Sequence, residues 1–135
     1  MSNQEETKKS VAALAAREVM NEQIIGIGTG TTVNYFIEAL SRLPHQIEYA
    51  VPSSNATKIK LEEHGFCTID LNIAGTFDIY VDGADEATKF GYLIKGGGGA
   101  LTQEKILASV SKKFICIIDK TKFVGNLGQF PLPIE

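Results

Sequence analysis

Short runs of β-branched and aromatic residues alternate along this chain with segments of helical period, and this alternation restricts the fold more than any other feature. From about Glu5 to Met20, Val11, Leu14, Ala15 and Val19 recur at three- and four-residue steps. QIIGIG, residues 23 to 28, reads as a first strand. VNYFIEAL then places Val33, Phe36, Ile37 and Leu40 on one helical side, with Pro44 just beyond. IEYAV, residues 47 to 51, reads as a second strand. The next helix has Ser53 or Ser54 as its cap and Gly65 at its end. FCTIDL, FDIYV (residues 77 to 81) and YLIKG (residues 92 to 96) read as third, fourth and fifth strands. ALTQEKILASVSKK has Leu101, Ile106, Leu107 and Val110 at helical spacing, and FICIID, residues 114 to 119, reads as the last strand. Strands alternating with helices predict an α/β, Rossmann-like three-layer fold with a mostly parallel sheet. The length predicts one domain over residues 1–135.

In such sheets ligands collect at the carboxyl ends of the strands, so the polar segments that follow strands carry the functional reading. GTGTT follows the first, PSS the second, DGAD the fourth, KGGGG the fifth and DKTK the last. A formal charge of −3 offers no basic footprint for nucleic acid, though a small anion needs only local positive charge. No apolar run is long enough to span a bilayer and the first ten residues are polar, so the expected location is the cytoplasm. Cys67 and Cys116 form no CxxC pair; Cys116, in FICII, reads as a buried thiol in a reducing compartment.

GTGTT lacks the lysine of a P-loop and the third glycine of a dinucleotide fingerprint, and the second strand ends in Val51-Pro52-Ser53 without an acid for a ribose. A nucleotide cofactor is therefore not expected. Two readings remain: a loop of N–H groups and hydroxyls aimed at a helix N-terminus, which attracts an anion, or a tight turn with Thr31 or Thr32 as an ordinary cap. Asp82 and Asp85 flank Gly83 and Ala84 directly after a buried strand. They suit proton relay, sugar hydroxyls or a metal, or simply a good turn; His45 and His64 are not placed to complete a metal site, and none is expected. Four glycines after Lys95 cost backbone entropy, which a compact fold tolerates where backbone must approach a ligand. Their N–H groups could steady an oxyanion. Glu104, in the first turn of the following helix, either complements the helix dipole or, beside Lys95 and the aspartates, serves as a general base. Glu86 is a third carboxylate that could as easily face solvent. Lys120 and Lys122 are surface lysines or phosphate ligands. With no redox centre and no evident nucleophile, the set fits proton abstraction next to a carbonyl in a small phosphorylated sugar or polyol.

GTGTT, YVDGADE, IKGGGGALTQEKI, FICIIDKTK and GQFPLPIE, in this order and spacing, resemble ribose-5-phosphate isomerase of the A type over essentially the whole chain. The resemblance implies interconversion of ribose 5-phosphate and ribulose 5-phosphate through an enediolate, in the pentose phosphate pathway, with no metal or organic cofactor. It implies Glu104 as proton acceptor, Asp82 and Asp85 at ring opening and the sugar hydroxyls, and Lys95 with Gly96, Gly97 and Gly98 steadying charge on the sugar oxygens. Thr29, Gly30, Thr31 and Thr32 match the family's TGST loop, with Thr31 in place of serine. Lys122 matches a substrate-binding lysine, and Lys8 is expected to contribute to the same phosphate. Family members continue past the segment matching FPLPIE into a small second α/β domain, so residues 1–135 read as a catalytic domain lacking that part. The resemblance also implies a homodimer, with no nucleic-acid or membrane partner. Two further readings compete: a sugar-phosphate-binding module without turnover, and an inactive fragment of the isomerase.

Overall fold

The computed structural model describes residues 3–134. Helix α1 (Asn3–Val19) leads into β1 (Ile24–Ile27), α2 (Thr31–Ser41), β2 (Tyr49–Pro52), α3 (Asn55–Glu63) and a single turn, α4 (Leu71–Ala74). Strand β3 (Phe77–Asp82), the two-residue strands β4 (Glu86–Ala87) and β5 (Leu93–Ile94), α5 (Leu101–Val110), β6 (Ser111–Cys116) and a 3-10 turn at Lys120–Lys122 follow. The main sheet has the order β2-β1-β3-β6 with every pairing parallel. Strands β4 and β5 form a separate antiparallel hairpin.

The core forms two layers, one on each side of the main sheet. Ile25 and Ile27 of β1, with Ile79 and Val81 of β3, face α1 and α2, meeting Ala12, Ala16, Val19, Val33, Phe36, Ile37 and Leu40. On the other side Tyr80 and Phe77 pack with Leu107 of α5 and Val51. The Ile-Gly-Ile-Gly alternation of β1 has a steric cause. A Cβ on Gly26 would run into the Phe77 ring, and one on Gly28 into the Asp82 carboxylate. Strand β1 is bare on that face because β3 fills it.

The observed architecture is the expected α/β fold with a parallel sheet, and four elements differ from their sequence reading. FCTIDL is not a strand of the sheet. Thr68 makes one isolated parallel bridge to Ala50, flanked by hydrogen bonds from Ala50 N–H to the Cys67 carbonyl (2.9 Å) and from Ile69 N–H to the Ala50 carbonyl (3.0 Å). Asp70 then begins α4, which bends the chain off the sheet edge. YLIKG contributes only Leu93–Ile94, and to the hairpin rather than the main sheet. Strand β6 starts at Ser111, three residues early, because Ser111 and Lys113 pair with Phe77 and Ile79; pairing overrides the helical period there. In α1 the buried stripe is Ala12, Ala15, Ala16 and Val19, while Leu14 is 62% exposed. Small residues let α1 lie close on α2.

Candidate active site

Strand order reverses direction between β1 and β3: α2 carries the chain from β1 to β2 on one side, and β3 adds on the other. At such a switch point the carboxyl ends of neighbouring strands open a crevice. Here the crevice is a cavity of about 190 Å³, room for a small polar molecule. Its walls are Thr29–Val33 after β1, Gly83–Asp85 after β3, Lys95–Gly98 after β5, Glu104 on α5, and Ile117 and Lys122 beyond β6.

Helix α2 points its N-terminus into this cavity. Gly30, at φ 120°, is its N-cap and carries no side-chain cap, so Asn34 N–H to the Gly30 carbonyl (3.0 Å) is the first helical bond. The amides of the first turn are thus available to an anion, and the helix dipole favours one. Thr29 turns away from that role: its hydroxyl meets Ser53 Oγ at 2.6 Å and Ser54 Oγ at 3.1 Å, locking the loop to the end of β2. Thr57 donates to the Gly28 carbonyl at 2.7 Å and fixes the loop from below.

Asp82 is fully buried behind the cavity. Its Oδ1 accepts from Gly83 N–H (2.7 Å) and Thr29 N–H (3.2 Å), and its Oδ2 from the Tyr80 hydroxyl. Lys95 Nζ lies 3.0 Å from Asp82 Oδ2 and 3.4 Å from Glu104 Oε1, and donates to the Gly83 carbonyl at 2.6 Å. One ammonium therefore bridges two carboxylates that would otherwise repel. Glu104 is 5% exposed. Burial first, then the neighbouring Asp82 charge, push its carboxyl up to about 7, against the opposing pull of Lys95. Burial, followed by the Asp82 charge, also drives the Tyr80 phenol far above its ordinary range, so it stays a hydrogen-bond donor. Burial raises the Cys116 thiol to about 11 and keeps it protonated.

Asp85 presents a different environment. It lines the cavity and accepts from Gly97 N–H at 2.8 Å, and a Cβ on Gly97 would sit 2.7 Å from its Oδ1. The glycine run is what lets the backbone come this close. The hairpin holds Asp85 and Lys95 together through Asp85 N–H to the Ile94 carbonyl (2.7 Å).

Of the residues singled out in the sequence, the fold gathers Thr29, Gly30, Thr31, Thr32, Gly83, Ala84, Asp85, Lys95, Gly96, Gly97, Gly98, Glu104 and Lys122 around one cavity. Asp82 sits behind it, and Lys8, on α1, does not line it. Glu86 does not face solvent; it is buried and accepts from Gly128 N–H at 2.9 Å. Val33, Ile117 and Tyr80 were not singled out as site residues in the sequence. Apolar strand and helix residues carry no chemical signal, and the phenol showed only as one more aromatic in FDIYV. Among the described residues no group of three or more His, Cys, Asp or Glu could hold a metal ion.

A sequence model described as "Ribose 5-phosphate isomerase A (phosphoriboisomerase A)" matches residues 49–135. The chain is 54% identical over 130 residues to the ribose-5-phosphate isomerase A of Xylella fastidiosa (strain M12), covering 96% of this chain and 60% of that protein. Among solved structures, ribose 5 phosphate isomerase A from Neisseria gonorrhoeae superposes with a TM-score of 0.93 at 44% identity, over 97% of this chain and 59% of that one. A D-ribose-5-phosphate isomerase in complex with phospho-erythronic acid gives a TM-score of 0.89 at 38% identity, over 95% and 58%. The chain thus spans about 60% of the length of the curated relatives it matches.

Proposed function

The chain belongs to the ribose 5-phosphate isomerase A family, and from that premise we propose that its cavity interconverts D-ribose 5-phosphate and D-ribulose 5-phosphate. The observation that carries the proposal is Glu104: a carboxyl facing the cavity, raised to about 7 and held 3.4 Å from Lys95. A base titrating near the working pH is present in the right form and still takes up and returns a proton readily.

In the proposed reaction Glu104 removes the proton from C2 of the open-chain aldose and gives it to C1, while the hydroxyl proton passes from O2 to O1. Charge gathers on the sugar oxygens in the intermediate enediolate. In this reading Lys95 and the amides of the glycine run meet that charge, supported by the contacts of Lys95 with Asp82 and the Gly83 carbonyl and of the Gly97 amide with Asp85. Asp85, on the cavity wall, is placed to meet a sugar hydroxyl or the ring oxygen. Asp82, behind it, acts through Lys95 and Glu104. The first-turn amides of α2 and the ammonium of Lys122 supply the phosphate end. No metal or organic cofactor is required.

The phospho-erythronic acid bound by a relative is an acid phosphate of the kind such a site would hold. A place in the pentose phosphate pathway, a cytoplasmic location and a homodimer belong to the same proposal. Exposed Phe90 and Tyr92 on the hairpin are consistent with burial in a further contact. Among the described residues no helix is long and apolar enough to cross a membrane.

The test is Glu104→Gln. Turnover of ribose 5-phosphate is expected to fall by about a hundredfold to ten-thousandfold, with calorimetric binding of the substrate retained. Undiminished turnover would remove Glu104 as the base. Binding without turnover in the unmodified chain would favour the non-catalytic module or the inactive fragment, which the same assay on a full-length chain separates.

A further inference from the structure

Asp119 is a buried acid that the proposed reaction leaves unused. It is 2% exposed and lies at the end of the segment following β6, three residues before Lys122. Its Oδ1 accepts from the Thr121 amide at 2.9 Å and from the Thr121 hydroxyl, and its own carbonyl accepts from Lys122 N–H at 3.1 Å. Asp119 is therefore the N-cap of the 3-10 turn that carries Lys122 to the cavity. On the far side, Gln4 Nε2 of α1 reaches the Thr121 hydroxyl at 3.5 Å, joining this turn to the first helix. The second carboxylate oxygen, Oδ2, is buried and has no hydrogen-bond partner among the described residues. A buried oxygen left without a donor costs stability that a structural cap alone would not demand. The carboxyl is nevertheless held low: burial works to raise it, and the hydrogen bonds from Thr121, with the Lys122 charge, outweigh that.

We propose that Asp119 is a positioning residue for phosphate binding: its cap fixes the turn that carries Lys122, and its free Oδ2 holds a negative charge that keeps the Lys122 ammonium at the cavity edge. The inference rests on the reading of the cavity as a sugar-phosphate site, and deepens it by naming what aims the lysine. Asp119 touches no substrate. Its effect passes through Lys122 and so falls on the phosphate half of the ligand rather than on proton transfer at Glu104.

The experiment measures binding of inorganic phosphate and of ribose 5-phosphate by calorimetry, with turnover in parallel, for the unmodified chain, Asp119→Asn, Lys122→Ala and the double variant. Asp119→Asn is expected to weaken phosphate binding on the order of tenfold and to raise KM similarly while kcat stays within about twofold. The double variant is expected to bind no more weakly than Lys122→Ala alone. Thr121→Val, which deletes the hydroxyl contact without changing charge, is the second probe should Asp119→Asn fold poorly, and is expected to weaken phosphate binding in the same direction. A lowered melting temperature with unchanged phosphate affinity in either variant overturns the proposal, as do additive losses in the double variant or a fall in kcat at constant KM. Absence of phosphate binding by the unmodified chain overturns it as well. Weakened phosphate binding in a chain that never turns over substrate would instead sustain this inference and defeat turnover by this chain.

Discussion

Replacing Asp82 by asparagine tests the electrostatics of the site most directly. Glu104 is raised from 4.5 to about 7, a difference of about 2.5 pH units. At 1.36 kcal/mol per unit this is about 3 kcal/mol of preference for the protonated form. Burial is the larger cause and survives the substitution; the Asp82 charge is the next and does not. With Asp82 neutral, Lys95 has Glu104 as its one remaining carboxylate partner, so both changes favour the ionised base. The acidic limb of the kcat/KM profile, near pH 7 in the unmodified chain, is expected to move down by about one unit in Asp82→Asn. The folding consequence has a definite sign. Glu104 titrates higher in the fold than in the unfolded chain, so its contribution favours the fold below about pH 4.5 and is lost as pH rises through about 7. Asp82→Asn should therefore shrink the loss of stability across that window, as read by urea unfolding at a series of pH values. An acidic limb that stays put, or moves to higher pH, would refute the account of Glu104 as a base tuned by Asp82.

Two further outcomes check the scaffold. Gly28→Ala drives a methyl into the Asp82 carboxylate; it is expected to cost about 1–3 kcal/mol in urea unfolding, with turnover falling further than the stability loss explains because Asp82 and the Thr29 amide part. Ser54→Ala removes the cap of α3, to which the Thr57 amide donates at 3.2 Å, and a contact of Thr29; a loss of about 0.5–2 kcal/mol is expected, and none at all would show that neither the cap nor the Ser54 contact with Thr29 contributes to stability.

The elements with strong periodicity were legible. Four parallel strands, the α2 stripe of Val33, Phe36, Ile37 and Leu40, and a serine cap on α3 all follow from spacing and composition, while the choice of Ser54 over Ser53 comes from the structure. What escaped is what depends on partners distant in sequence. FCTIDL has the residues of a strand but meets β2 at one residue before Asp70 turns it away. Ser111–Lys113 continue a helical pattern yet pair with β3. The polar clusters after strands pointed to the cavity because strand ends share one edge of a parallel sheet. That rule gives an edge, not a depth, so it could not separate Asp85 on the wall from Asp82 behind it. Nor does spacing foretell that Gly26 and Gly28 are bare to admit Phe77 and Asp82.

The contact between Thr29 and Asp82 spans 53 residues, and this has a kinetic meaning. Parallel strands need a crossover between them, and contacts of long sequence separation form late because loop closure precedes any gain from them. The first-turn amides of α2, the buried aspartate and the lysine that bridges it to Glu104 come together only when β1, β3, the hairpin and α5 have all docked. No partly folded chain can offer this cavity. A phosphate ligand should then bind the native state alone and raise the unfolding midpoint in proportion to the logarithm of its concentration, so the pocket doubles as a probe of how much of the chain is folded.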